Sequence, residues 1–182
     1  MPRTPPVIAS QQPGNYLTGA LWNASVKAMG DWCLGSGTNG APRFRGYATV
    51  AQALSNDTWT PLTLDSEFFD SDNGHSTTTN TSRFVVPVAG TWDVTGSVGF
   101  AANGTANRAV RITVNGAAVT GSFVKTSSAT AAGSCGLVTV CQVVCAVNDY
   151  IEVQGNQNSG GALNTNAGSD VCSSLGCFWF SG

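Results

Sequence analysis

The stretch RFVVPVAGTWDVTGSVGF (residues 83–100) decides the fold class. Within it Trp92, Val94, Val98 and Phe100 fall on one side, and Thr91, Asp93, Thr95 and Ser97 on the other. A period of two is a strand with one dry and one wet face, whereas a helix would repeat near 3.6. The alternation recurs in residues 108–114, where Val110, Ile112 and Val114 oppose Arg111 and Thr113, and Asn115-Gly116 supplies the positive-φ pair of a tight hairpin. Leu137 to Val147 is apolar on both sides, which predicts a strand lying between covered surfaces. An Asn148-Asp149 turn then leads into Ile151 and Val153. The chain closes on CFWFSG (177–182), where Phe178 and Phe180 share a side and predict a buried terminal strand. From Tyr47 onward, such short runs divided by Gly, Asn, Asp and Ser predict an all-β sandwich or barrel.

Composition narrows the function classes. A chain of 182 residues can bury one sizeable core with a short appendage. Only 10% of residues are charged, and the formal net charge is −2. Tracking nucleic-acid phosphates needs clustered Lys and Arg, so nucleic acid is excluded as an expected partner. No apolar run reaches the roughly twenty residues that a bilayer span needs, so no membrane insertion is expected. Pro2, Pro5, Pro6 and Pro13 interrupt what would have to be the apolar core of a signal peptide, so classical secretion is not expected. Six cysteines, Cys33, Cys135, Cys141, Cys145, Cys172 and Cys177, are nevertheless many for a reducing compartment. Two readings stand side by side: late-forming disulfides, or small buried hydrophobes.

The N-terminus has a different texture. Residues 1–14 read as a Pro-rich extended arm. Leu17, Leu21, Val26, Met29 and Cys33 then fall near helical spacing, with Gly30 and Gly35 as stop signals. The GSGTNG run (35–40) reads as a flexible linker. The expected organisation is therefore an anchoring segment, 1–40, and a head domain, 41–182. Trp22 and Trp32 have no domain core of their own on an isolated helix, so they are expected, with Leu17, Leu21 and Met29, to bury against a partner.

No catalytic constellation stands out. His75 is the sole histidine, with no nucleophile elbow beside it, so an enzyme is not expected and no catalytic residue or cofactor is assigned. Asp70, Asp72 and Gly74 echo the start of a calcium loop, but the remaining ligands and the closing Glu are missing, so a polar turn is the preferred reading and no metal is assigned. Cys141 and Cys145 lie four residues apart on one side of a strand, roughly 13 Å, too far to bridge each other. A bridge between Cys172 and Cys177, or from either to Cys135, is sterically allowed. Asn23, Asn56, Asn80 and Asn103 begin N-x-S/T patterns that an Asn-, Ser- and Thr-rich chain throws up by chance. Trp59, Trp92 and Trp179 read as core or interface packing ahead of a sugar platform.

The strings LTLDSEFFDSDNGH (62–75), residues 83–100, ANRAVRITVNG (106–116), NDYIEVQGNQNSG (148–160) and CFWFSG, in this order, resemble the globular head of the complement C1q and tumour-necrosis-factor superfamily. The family's Phe-x-x-Pro-x-x-Gly-x-Tyr motif maps onto Phe84, Pro87, Gly90 and Trp92, with Trp in place of Tyr. Its Gly-Asp-x-Val turn maps onto Asn148 to Ile151 around Asp149, with Asn in place of Gly. Its closing aromatic strand maps onto Phe178 to Phe180. The resemblance covers residues 47–182 and implies a ten-stranded jelly roll that packs as a homotrimer. The segment GNYLTGALWNASVKAMGDW (14–32) resembles the head of small actinobacteriophage tail or minor structural proteins carrying this β domain. That likeness implies a virion exterior protein, made in the host cytoplasm and released by lysis, which accounts for cysteines without an export signal. The expected role is a minor tail, tail-tip or fibre-like component, with host-surface glycan or protein as a further partner. A capsid decoration or head-fibre protein and a soluble C1q-like binding module are the alternatives.

Overall fold

A computed structural model describes residues 3–8, 10, 12, 14, 16, 18–35, 40–127, 134–168 and 170–182. In chain order its strands are β1 (Arg43–Tyr47), β2 (Ala53–Leu54), β3 (Thr60–Pro61), β4 (Ser66–Asp70), β5 (Phe84–Val85), β6 (Gly90–Phe100) and β7 (Asn107–Val114). They continue with β8 (Ala117–Ala118), β9 (Val124–Ser127), β10 (Cys135–Cys145), β11 (Tyr150–Gln157), β12 (Leu163–Asn164) and β13 (Ser174–Ser181). Two large antiparallel sheets result, with β12 and β2 pairing as a separate two-stranded sheet. The first has the order β10-β6-β13-β1-β4, and the second β3-β11-β7-β8, with β5 also on β11 and β9 on β7. Neighbours in the first sheet are remote in sequence, so the chain passes back and forth between the layers as a jelly roll does.

The alternation read in residues 91–100 is realised: Trp92, Val94, Val98 and Phe100 are all buried. They face Val110 and Ile112 from β7 and Ile151 and Val153 from β11 across the sandwich. An aromatic column ties the layers together. The Phe44 and Phe84 rings stack at 4.9 Å, Phe84 meets Trp92 edge-on at 5.5 Å, and the Trp92 indole donates 3.1 Å to the Val88 carbonyl. Gly90 opens β6 at φ +140°, and a Cβ there would lie 2.2 Å from the Ser181 carbonyl oxygen, so no other residue fits. The β7–β8 hairpin turns through Asn115 (φ 51°) and Gly116 (φ 78°) as expected. Asn148 (φ 71°) makes the turn before β11.

Two sequence expectations change sides. In β13 the core face carries Leu175 and Cys177, while Phe178 and Phe180 point away from it and are substantially exposed. Register is the reason: Cys177 lies opposite Val94, on the dry face of β6, and Phe178 opposite Asp93, on the wet one. In β10, Leu137, Val143 and Cys145 fill the core, but Val138, Val140 and Val144 are exposed, with no cover among the described residues. The second expected cover is not found among the described residues.

The helix begins at Thr18, whose hydroxyl accepts from the Leu21 amide, and runs Gly19–Leu21, through a π-helical stretch Trp22–Lys27, into Ala28–Leu34. It continues past Gly30 and stops at Gly35, where a Cβ would collide with the Asp31 carbonyl. Leu17, Pro2, Pro13 and residues 36–39 of the linker lie outside the described residues. Trp32 is not presented outward, because it is buried on the head, edge-on to Trp179 at 5.3 Å with the Arg3 guanidinium 5.1 Å from its ring centre.

All six cysteines are free thiols. Cys177 is wholly enclosed between the sheets, which removes it from a bridge to the loop residue Cys172 or to Cys135. Burial, with Asp149 and Cys141 nearby, pushes the Cys145 thiol up to about 11. A raised folded value means that stability is intact below the ordinary thiol range and falls as pH rises from about 9 toward about 11. Alkylation followed by mass spectrometry is expected to modify Cys33 in the native protein and to reach Cys145 and Cys177 only with unfolding. Trp92→Ala is expected to cost about 3–5 kcal/mol in urea denaturation, since it leaves a cavity in the column that joins the sheets.

Candidate interaction surface

The wet side of the β10-β6-β13-β1-β4 sheet carries large apolar side chains that no described residue covers. Three lateral rows cross it by register. One runs Val138, Ser97, Ser174, Tyr47, the next Val140, Thr95, Gly176, Arg45, Phe69, and the third Gln142, Asp93, Phe178, Arg43. Val140 is 66% exposed, Val144 82% and Phe180 62%. Water contact with so much β-branched and aromatic surface is costly, at about 25 cal/mol per Å², and contiguous patches of this kind mark association sites.

Polar groups are interleaved but tethered. The Gln142 amide donates 2.8 Å to Asp93. Arg43 lies over Phe69 at 5.7 Å, and Phe69 meets Phe178 edge-on at 5.9 Å. Arg45 lies over Phe68 at 4.5 Å, and Tyr47 packs on the same ring. The face is therefore apolar in bulk, with Arg43 and Arg45 held over rings and Asp93 held by Gln142.

The residues singled out in sequence are distributed elsewhere. Phe84 and Trp92 are core, while Pro87 accepts the Arg3 amide through its carbonyl at 3.2 Å. Asp149 accepts from the Asn115 amide group and the Ala146 backbone N–H, both at 2.7 Å, and these bonds hold its carboxyl below the usual carboxylate range. His75 is a buried structural group. Its Nε2 donates 2.9 Å to the Thr81 carbonyl, its Nδ1 lies 2.6 Å from Glu67, and its ring packs on Phe44 at 4.9 Å. With both nitrogens engaged and the side chain sealed, it presents no free base to a substrate. Asp72 of the calcium-like loop is ion-paired to Arg3 at 2.6 Å and accepts from Ser71, so a guanidinium sits where a cation would. No metal-ligand cluster is found among the described residues.

Of the expected anchoring set, Trp22 is half exposed, Leu21 and Met29 are partly covered, and Trp32 is enclosed. Tyr16, Val26 and Leu34 are exposed beside them. Several polar residues escaped the sequence reading because they sit at strand ends where loops fold over them. Arg108 is buried, donating to the carbonyls of Thr105, Asn107 and Asn103, and its burial lowers its pKa. Glu152 is buried and accepts from Ser82 and Arg83. On the second sheet Arg111 lies over Trp59 at 4.1 Å and is fixed by Gln154.

No protein-family model matches the chain, and no curated protein does. Solved structures do. The globular domain of a zebrafish complement 1qA protein is similar at a TM-score of 0.54 and 10% identity over 78% of this chain and 99% of its own. Murine APRIL at pH 5.0 is similar at 0.58 and 12%, over 77% and 99%. The Eiger TNF structure from S. frugiperda is similar at 0.54 and 15%, over 78% and 92%. The head thus has the jelly-roll fold of C1q and TNF globular domains.

Because Asp149 holds its turn as a carboxylate, its contribution to stability is present above the ordinary carboxylate range and lost as pH falls through the lowered value. Asp149→Asn is expected to flatten the acid limb of the thermal-melting pH profile while leaving the neutral-pH fold intact.

Proposed function

We propose that the chain is a structural virion protein of a tailed bacteriophage, a minor tail, tail-tip or fibre-like component. Its head assembles as a homotrimer through the wet side of the β10-β6-β13-β1-β4 sheet, and residues 1–40 anchor it to the particle. The observation that carries self-association is the uncovered row Val138, Val140, Val144 beside Phe178 and Phe180. A second copy is the occupant, because the same sheet brings apolar side chains, the ring-bound Arg43 and Arg45, and Asp93 to one surface, a mixture that self-complementary assembly can pair. The C1q- and TNF-like fold supports this reading. Anchoring is supported by the helix, whose Trp22, Val26 and Leu34 remain exposed although the head covers Trp32. With the arm fixed on the particle, the head is displayed outward, where its surface is free to meet the host.

Two experiments test the parts separately. Val140→Asp with Val144→Asp places two charges in the uncovered row without touching the core, and is expected to reduce the assembly to single chains at unchanged secondary structure. An unaltered assembly would move the interface elsewhere. Deleting residues 1–35 is expected to remove the protein from purified phage particles, measured by mass spectrometry, while the head still folds. Incorporation without those residues, or absence of the intact protein from particles, would refute the virion assignment.

A further inference from the structure

On the flank of the sandwich, where the connection from β4 meets the second sheet, a cleft of about 220 Å³ opens. Its walls include Val85 of β5, Tyr150 of β11, and Asn73, Thr79, Asn80 and Arg83 from the connection between β4 and β5. No lining residue lies on a strand of the β10-β6-β13-β1-β4 sheet or within residues 1–40, so the interface and the anchor assigned above leave the cleft open. Its volume is below the roughly 300–1,000 Å³ of sites that enclose a drug-sized ligand, which limits the occupant to one small ring with a side still in water.

The walls carry unspent hydrogen-bonding capacity. Asn73 and Asn80 hold left-handed turn positions, at φ 53° and 51°, and their side-chain amides bond to no described residue. The Thr79 hydroxyl and the Tyr150 phenol are likewise without a partner among the described residues, although the backbone of each is bonded. Arg83 spends only its Nε, which donates 3.2 Å to Glu152, and its two terminal amino groups are uncommitted. Five side chains around one small concavity thus offer donors and acceptors together. Val85 adds an apolar patch, 39% exposed and opposite Tyr150 in register.

Charge and polarity select the occupant. The Arg83 guanidinium is balanced by the enclosed Glu152, and the buried His75 is already engaged by Glu67 and the Thr81 carbonyl. An anion would have to compete with Glu152 for Arg83, and a cation would face the guanidinium. Mixed donors and acceptors beside an apolar patch match ring hydroxyls, each of which both donates and accepts. We infer that this cleft binds a neutral sugar unit, its hydroxyls on Asn73, Thr79, Asn80, Arg83 and the Tyr150 phenol and its C–H edge against Val85. Every lining residue belongs to one chain, so the site stands apart from the number of copies in the assembly and from the virion reading.

The test is NMR titration of the full-length protein with D-glucose, D-galactose, D-mannose, N-acetyl-D-glucosamine and L-rhamnose. Glycerol and D-glucuronic acid serve as controls, and assembly mass is followed in the same samples. At least one neutral sugar is expected to shift the Val85 methyl and Tyr150 ring resonances and to bind at least tenfold more tightly than either control. Asn73→Gly with Asn80→Gly keeps both turns, since glycine accepts a positive φ, and removes both amides. That protein is expected to bind at least about fourfold more weakly, and Tyr150→Phe about two- to tenfold more weakly, both with unchanged circular dichroism. No shift with any neutral sugar, equal binding of glycerol or of D-glucuronic acid, or undiminished binding by the Asn73→Gly, Asn80→Gly protein would each overturn the assignment, whatever the assembly mass.

Discussion

The edge-on contact between Trp92 and Phe84, with Phe44 stacked beyond, closes the two sheets of the head and fixes which side of β6 faces inward. Once Trp92 is inside, parity puts Val94, Val98 and Phe100 inside as well, and Asp93, Thr95 and Ser97 out. Register then carries that choice to the neighbouring strands. β10 must expose Val138 and Val140 because they lie opposite Ser97 and Thr95, and β13 must expose Phe178 because it lies opposite Asp93. A slip of one residue would bury Asp93 and expose Trp92, so the register is strongly specified. The uncovered apolar face is thus a consequence of the core.

Polar groups inside the molecule are consistent with that logic, because nearly all have partners. Glu152 has Ser82 and Arg83, Arg108 has three carbonyls, and Gln157 donates to the Leu54 and Gly161 carbonyls. Burying such groups without bonds would cost about 1–3 kcal/mol each. These bonds pin the loops at the strand ends, and the rigid sheets between them present the exposed surface. The arm joins the same scheme: Arg3 reaches Asp72 and the Gly40 carbonyl, and Trp32 lies against Trp179.

Much of this was legible in the sequence, and the limits have physical causes. β6, with one polar side, could be oriented residue by residue, and Asn115-Gly116 fixed its hairpin because few pairs tolerate two positive φ values; in β7 the alternation misplaced Thr113, read as facing water but wholly buried. β10 and β13 are apolar on both sides, so alternation could not say which side faced the core. Their aromatic and valine faces turned out to be open, and the smaller Leu175 and Cys177 are enclosed. The docking of Trp32 was invisible because its partner, Trp179, lies at the other end of the chain. His75, Arg108 and Glu152 are buried through contacts that periodicity does not encode. Of the interaction surface, its residues were legible but their grouping was not. Arg45, Tyr47, Phe68, Ser97 and Ser174 meet only through β1, β4, β6 and β13 lying side by side.

The account rests on the uncovered face being an interface between copies. The most direct measurement is the solution mass of the intact, purified chain by light scattering on a sizing column, across a dilution series. The account predicts three times the 18.6 kDa of one chain, persisting on dilution. A stable species of one chain, with Val140, Val144 and Phe180 still in water, would contradict it.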